Sequence, residues 1–216
     1  MTSETAHRYI AIEGPIGVGK TSFVELLVKK FDAHKVLERV DNPFLRDFYL
    51  DKTGAAFQAQ LFFLLSRYRQ LMELSQRTLF SQVTICDYIF PKDKIFAYLN
   101  LDDSELLIYD KLYAMLEPQV PKPDLVIFLQ ADMPRLTERI KRRKRDYESE
   151  ISEAYVTEVA KAYNYFFFNY TATPLLVIDT NQIDFVHHEG ELDDLISQIR
   201  RMERGVQYYR PASSAG

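Results

Sequence analysis

The sequence predicts an α/β fold, a five-stranded parallel sheet flanked by helices. Three observations predict it. Five short apolar runs rich in β-branched residues, at 8–12, 35–38, 83–87, 124–130 and 175–179, have the length of buried strands. Helical apolar spacing fills the intervals between them, and strands alternating with helices build parallel sheets covered on both faces. The first run leads directly into Gly14-Pro15-Ile16-Gly17-Val18-Gly19-Lys20-Thr21, which satisfies G-x-x-x-x-G-K-[ST]. Strand before and helix after are the context that this pattern requires.

The elements follow in order. Tyr9-Ile10-Ala11-Ile12-Glu13 is the strand, and Ser22 to Lys30 has the apolar spacing of the helix. Glycines between them let backbone N–H groups converge on phosphate oxygens. Lys20 is placed to reach the outer phosphates of a nucleoside triphosphate, and the Thr21 hydroxyl to hold Mg²⁺. Glu38 ends the second strand run and Asp87 the third. Carboxylates at the carboxyl ends of parallel strands face the crevice where ligands bind. Glu38 there could take a proton from an attacking hydroxyl, or it could be a solvated strand end. Asp87 could hold a metal beside the phosphates.

The stretch 55–79 is a long helix carrying Phe57, Leu61, Phe62, Phe63, Leu64, Leu65, Tyr68, Leu71 and Met72. Being apolar round much of its circumference, it is either a core helix or a subunit contact. A second apolar helix near 104–117 could complete a homodimer interface, or be core in its turn. Gln60 and Arg67 are seven residues apart, so they project from one face of the long helix. Polar groups on such a helix need polar partners, and an amide offers the donor and acceptor that the edge of a nucleobase demands. The run Arg139-Ile-Lys-Arg-Arg-Lys-Arg145 puts Arg139 and Arg143 on one helical face. A charge run can be plain solvated surface, but beside a phosphate loop it suits a lid closing over a transferring γ-phosphate.

Composition sets the outer bounds. A chain of 216 residues, 47% hydrophobic and 27% charged, suits a single domain over 1–209 with a disordered tail at 210–216. A net charge of −4 argues against nucleic acid as a partner. No apolar run reaches the roughly 18 residues of a membrane span, and the N-terminal residues lack a signal-peptide core. One cysteine, Cys86, permits no intrachain disulfide and points to a reducing, cytoplasmic location. His187 and His188 have no clustered ligands around them and suit a loop better than a metal site.

Taken in order, these residues resemble the deoxynucleoside kinases, and within them the bacterial deoxyadenosine/deoxyguanosine branch, over about residues 8–203. The resemblance implies a P-loop kinase fold with an arginine-rich lid. It implies ATP and Mg²⁺, and transfer of the γ-phosphate to the 5′-hydroxyl of a deoxynucleoside, deoxyadenosine first and deoxyguanosine next. Glu38 falls at the general base, with Lys20, Arg139 and Arg143 stabilising the phosphoryl group. Tyr49 and Glu148 match residues on the sugar 3′-hydroxyl. Gln60 matches the base reader, with Arg67 and Asp93 as the charged pair beside it. The ATP set runs from Gly14 to Ser22 and adds Arg143, Arg145, Asp184 and Phe185. Thr21 and Asp87 match the metal side. Where many members carry Glu-Arg-Ser, this chain has Asp87-Tyr88-Ile89, so the role of the missing arginine must pass to Lys92, Lys94 or a lid arginine. Two other readings share the phosphate loop. One is a thymidylate-type nucleotide kinase, whose acceptor phosphate Glu38 would repel; the other is a non-catalytic nucleotide-binding subunit.

Overall fold

A computed structural model describes residues 7–50, 52–77, 83–143, 152–181, 183, 185 and 189–210. The strands are β1 (Tyr9–Glu13), β2 (His34–Val36), β3 (Thr84–Cys86), β4 (Leu125–Gln130), β5 (Leu175–Asp179) and β6 (Val206–Tyr209). They form one sheet in the order β2-β3-β1-β4-β5-β6, with every neighbouring pair parallel. Among the described residues the sheet thus has six strands, not the five expected. The sixth was hidden because it is an edge strand. Val206 and Tyr208 are exposed, so it lacks the unbroken apolar run that marks strands covered on both faces.

Alternation along the strands divides the core in two. Tyr9 and Ala11 of β1, Val126 and Phe128 of β4, and Leu175 and Val177 of β5 enter one cluster. Ile10 and Ile12, Leu125, Ile127 and Leu129, and Leu176 and Ile178 enter the other. Helices α3 (Ala55–Arg77), α4 (Lys92–Asn100), α5 (Asp103–Leu116) and α7 (Glu153–Phe168) cover the first face. Helices α1 (Lys20–Phe31), α6 (Met133–Arg143) and α8 (Glu189–Arg201) cover the second. The short α2 (Leu45–Tyr49) packs on α3. The ends of α5 and α7 are set by their caps. Asp102 and Glu105 form a reciprocal capping box, and the Ser152 side chain accepts from the Tyr155 N–H.

The long apolar stretch is therefore a core helix along Leu64, Leu71 and Leu74, each buried. Cys86 is buried as well. Neither Glu38 nor Asp87 lies inside a strand, as the sequence runs suggested. The Asp87 N–H donates to the Val36 carbonyl at 3.1 Å, and the Glu38 N–H donates to Asp87 Oδ1 at 2.6 Å. A side chain thus replaces the next ladder partner, and β2 stops at Val36. Of the expected tail, Arg210 is described and sits 3.7 Å from the Asp179 carboxylate; residues 211–216 lie outside the described residues, as do His187 and His188.

The connection after β1 crosses to one side of the sheet, and β4 lies on the other. Ligands in such sheets bind beyond the strand ends at this reversal. The loop that leaves β1 here is held against β4 and α6. A Cβ on Gly14 would stand 2.4 Å from the Leu129 carbonyl oxygen, and one on Gly17 would stand 2.8 Å from that of Leu136. Gly17 also has φ +85, where an L side chain is strained. Gly14→Ala should accordingly destabilise the protein by about 3 kcal/mol, the range of a backbone clash in a packed loop, as measured by urea unfolding.

Candidate active site

A cavity of about 370 Å³ opens beyond the carboxyl ends of β1, β2 and β3. Its lining brings together the phosphate loop, from Ile16 to Thr21, and Glu38, Tyr49, Gln60 and Arg67. Phe63, Phe96 and Tyr163 add apolar wall. The sequence thus brings its predicted donor and acceptor residues to one hollow.

At the loop end, α1 begins after Gly19, whose φ is 104°, and no side chain caps its first turn. An uncapped helix N-terminus, with no acidic residue in that turn, is a ready anion site. Lys20 Nζ donates to the carbonyls of Gly14 (2.5 Å) and Pro15 (3.2 Å). Burial lowers its pKa to about 8, helped by repulsion from Lys92 and opposed by Glu13, Asp87 and Glu38. Phe185 packs on Phe23 at 4.9 Å and faces Gly19, so the segment after β5 closes the outer side of the loop.

At the acceptor end, charged side chains are buried together. Arg67 Nε donates to Glu38 Oε1 at 2.7 Å and its Nη2 lies 2.5 Å from the same oxygen. Its Nη1 pairs with Asp93 Oδ2. Lys92 Nζ donates to Glu38 Oε2 at 2.7 Å. Burial alone would raise the Glu38 pKa, but Arg67 and Lys92 outweigh it and bring it down to about 2. Glu38 is therefore a carboxylate at any physiological pH. The same attractions overcome burial at Arg67 and Lys92 and raise the pKa of both. Arg67 comes from α3 and Lys92 and Asp93 from α4, two helices that pack side by side, while Glu38 comes from the segment after β2.

Gln60 completes that network. Its Nε2 donates to Asp93 Oδ1 (2.5 Å) and to the Asp93 carbonyl (3.0 Å). Both acceptors are oxygens, so only the amine end of the amide can face them. Tyr109 adds a third donor to Asp93 at 2.9 Å. The Gln60 carbonyl oxygen is what remains for the cavity, where it can accept an N–H.

Glu13 was not foreseen as a site residue. It is fully buried at the end of β1 and accepts from the N–H of Gly14 (3.2 Å) and of Ile89 (2.9 Å). Burial raises its pKa, against the pull of Lys92 and Lys20. The signal was visible as an acidic residue closing an apolar strand just before the loop. Asp87 lines the cavity, as does Thr21, and burial raises the Asp87 pKa too, opposed by Lys92 and the Glu38 N–H. Among the described residues no three His, Cys, Asp or Glu side chains cluster as a metal site. Two oxygen donors beside a phosphate site do fit Mg²⁺, which keeps waters and phosphate oxygens as its other ligands.

The lid is only partly in view. Arg139 lies on α6, but its guanidinium donates to the Val18 carbonyl and to the Thr180 hydroxyl and carbonyl, each at 3.0 Å. It fastens the phosphate loop to the end of β5. Arg143 is the last residue of α6; its side chain, with Arg145, Glu148 and Asp184, lies outside the described residues.

The deoxynucleoside kinase family model matches residues 10–203. The chain belongs to the deoxynucleoside kinase family. A deoxyguanosine kinase of Bacillus subtilis is 34% identical over 200 residues, covering 90% of this chain and 97% of the relative. A deoxyadenosine/deoxycytidine kinase of the same organism is 29% identical over 201 residues, covering 88% and 90%. The solved deoxyadenosine kinase from M. mycoides with bound dCTP superposes with a TM-score of 0.75 at 25% identity, over 90% of this chain and all of that one. β6 lies wholly beyond the stretch that the family model matches.

Within this deoxynucleoside kinase the Arg67–Asp93 pair is a stability determinant. Breaking a buried pair strands a charge, whereas removing both ends does not. Arg67→Met and Asp93→Asn should each cost about 3 kcal/mol, and the double variant well under the sum. Denaturant unfolding of the four proteins of this cycle checks it.

Proposed function

We propose that this protein transfers the γ-phosphate of ATP to the 5′-hydroxyl of a deoxynucleoside, a purine one in the first place, in cytoplasmic nucleotide salvage. The observation that carries the reading is a single cavity lined by both a phosphate loop and the anionic Glu38. Negative charge where the acceptor's reacting group must lie suits a neutral hydroxyl. A 5′-phosphate in that place would compete with Glu38 for Arg67 and Lys92 and strand its carboxylate, which counts against the thymidylate-type alternative.

In this reading the triphosphate lies on the N–H groups of Gly14–Ser22, with Lys20 on its outer phosphates and Phe185 near its base. Thr21 and Asp87 hold Mg²⁺, which when bound neutralises charge on the phosphates. Tyr49 faces the deoxyribose, and Glu38 orients the 5′-hydroxyl for in-line attack. A carboxylate held at about pKa 2 in the protein is a weak base. It takes the proton late, as the oxygen gains its bond to phosphorus. That timing suits a loose phosphoryl transition state, in which positioning and electrostatics carry most of the catalysis.

The base preference rests on Gln60. Its free acceptor suits the exocyclic amine of adenine or cytosine, while guanine presents a carbonyl at the matching place. Relatives named for deoxyguanosine and for deoxyadenosine are both close, so deoxyguanosine ranks second. A coupled ADP-release assay with each deoxynucleoside and each monophosphate tests the reading. Turnover is expected with deoxyadenosine above deoxyguanosine, and Glu38→Gln should lower kcat on the order of 10²-fold. Turnover with monophosphates alone would replace it by a nucleotide kinase.

Self-association is part of the proposal. Leu107, Ile108 and Met115 on α5 are exposed, as is Leu65 on α3, and burying them against a second copy would make a homodimer. Sedimentation equilibrium should give twice the chain mass of 25.3 kDa, and Leu107→Glu with Met115→Glu should return it to the monomer.

A further inference from the structure

Phosphoryl transfer needs positive charge on both sides of the moving group, facing the donor phosphates and facing the attacking oxygen. Lys20 serves the donor side. On the acceptor side the position after Asp87 supplies no cation, because Tyr88 is fully buried and its hydroxyl donates to Gln70 Oε1 at 2.9 Å. Lys94 lies over the ring of Tyr113, 4.2 Å from its centroid, and does not line the cavity. Arg139 is engaged on Val18 and Thr180. Of the described basic side chains, those that line the cavity are Lys20, Arg67 and Lys92.

Arg67 and Lys92 differ in what they can do there. Arg67 is a planar fork clamped between Asp93 and Glu38 Oε1. Lys92 approaches the opposite oxygen of Glu38, at 2.7 Å, with a single compact ammonium on a flexible stem. One N–H on Glu38 leaves two more donors on the same nitrogen. Its ammonium also stands close enough to Lys20 to depress that lysine's pKa, and it acts on Glu13 and Asp87 as well. Lys92 therefore holds the Glu38 carboxylate from the wall of the same cavity that Lys20 lines.

We propose that Lys92 is a second phosphoryl-transfer lysine, whose ammonium bridges Glu38, the attacking 5′-oxygen and an oxygen of the phosphoryl group in flight. The inference rests on the kinase reading above. In the step the 5′-oxygen forms its bond to the γ-phosphorus, and the bond from that phosphorus to the bridging oxygen breaks. ADP leaves with the electron pair, and the hydroxyl proton passes to Glu38. Lys92 keeps all three of its protons and works by charge.

The alternative is that Lys92 only holds Glu38 in place, and a double-mutant cycle separates the two. Lys92→Met in the wild-type background should lower kcat on the order of 10²-fold, with deoxynucleoside Kd by calorimetry changed less than about threefold. The loss should persist when Lys92→Met is placed on Glu38→Gln, read by single-turnover kinetics. A loss that vanishes in that background would overturn the direct role. So would a wild-type kcat, or an effect confined to nucleoside Kd. Lys92→Gln guards against misfolding of the Met variant, since its amide can still donate to Glu38 but carries no charge. It should lose kcat to the same extent while staying folded at the assay temperature, as read by circular dichroism, and a kcat near wild type would likewise overturn the proposal. If wild-type protein releases ADP with no deoxynucleoside, the kinase reading itself falls, and that outcome is distinct from active wild type with active Lys92 variants.

Discussion

The burial of Arg67 between two carboxylates is the constraint on which the acceptor half of the molecule depends. An isolated guanidinium there would be untenable, and so would Asp93, which is wholly inaccessible to solvent. Each charge is tolerable only because the others are in place. Glu38 neutralises the far side of Arg67, Lys92 neutralises Glu38, and Gln60 and Tyr109 saturate Asp93. The helices α3 and α4 must therefore keep one rotation and one separation. The same atoms that satisfy the burial of charge also leave the Gln60 carbonyl oxygen and the Glu38 carboxylate on the cavity wall. Stability and recognition are in this way properties of one network and cannot be adjusted separately.

The donor half obeys a different rule, which is steric. Backbone from β4 and α6 presses so closely on Gly14 and Gly17 that no side chain fits. Arg139 then ties Val18 to Thr180. The loop is shaped by its neighbours before any phosphate arrives, which lowers the reorganisation that binding must bring about. Arg139, expected over the transferring phosphate, here lies against the loop and the end of β5.

Much of this was legible in the sequence, and the misses have physical causes. The phosphate loop was plain because glycine spacing, strand and helix coincide within a short stretch. Gln60 and Arg67 could be grouped, since seven residues on a helix share a face; Asp93 joined them only through the family resemblance. β6 was missed because an edge strand carries no unbroken apolar run. Glu38 was placed inside β2 because composition cannot show that the Asp87 side chain replaces a ladder bond. Glu13 was passed over although its carboxylate closes an apolar strand just before the loop; its bond to Ile89, 76 positions away, is the part that leaves no local trace. Lys92 stood among several candidates, and only geometry separates it from Lys94, two residues on and turned to another wall.

The two hydrogen bonds of Glu13 have a mechanical consequence. One carboxylate grips the first residue of the phosphate loop and the first turn beyond Asp87, so donor floor and acceptor wall are joined through a few covalent bonds in the dry interior. Thermal displacement of one must carry the other with it. The spacing between these two backbone segments is then set by one side chain, much as a caliper locked at its setting keeps its opening when the whole tool is moved.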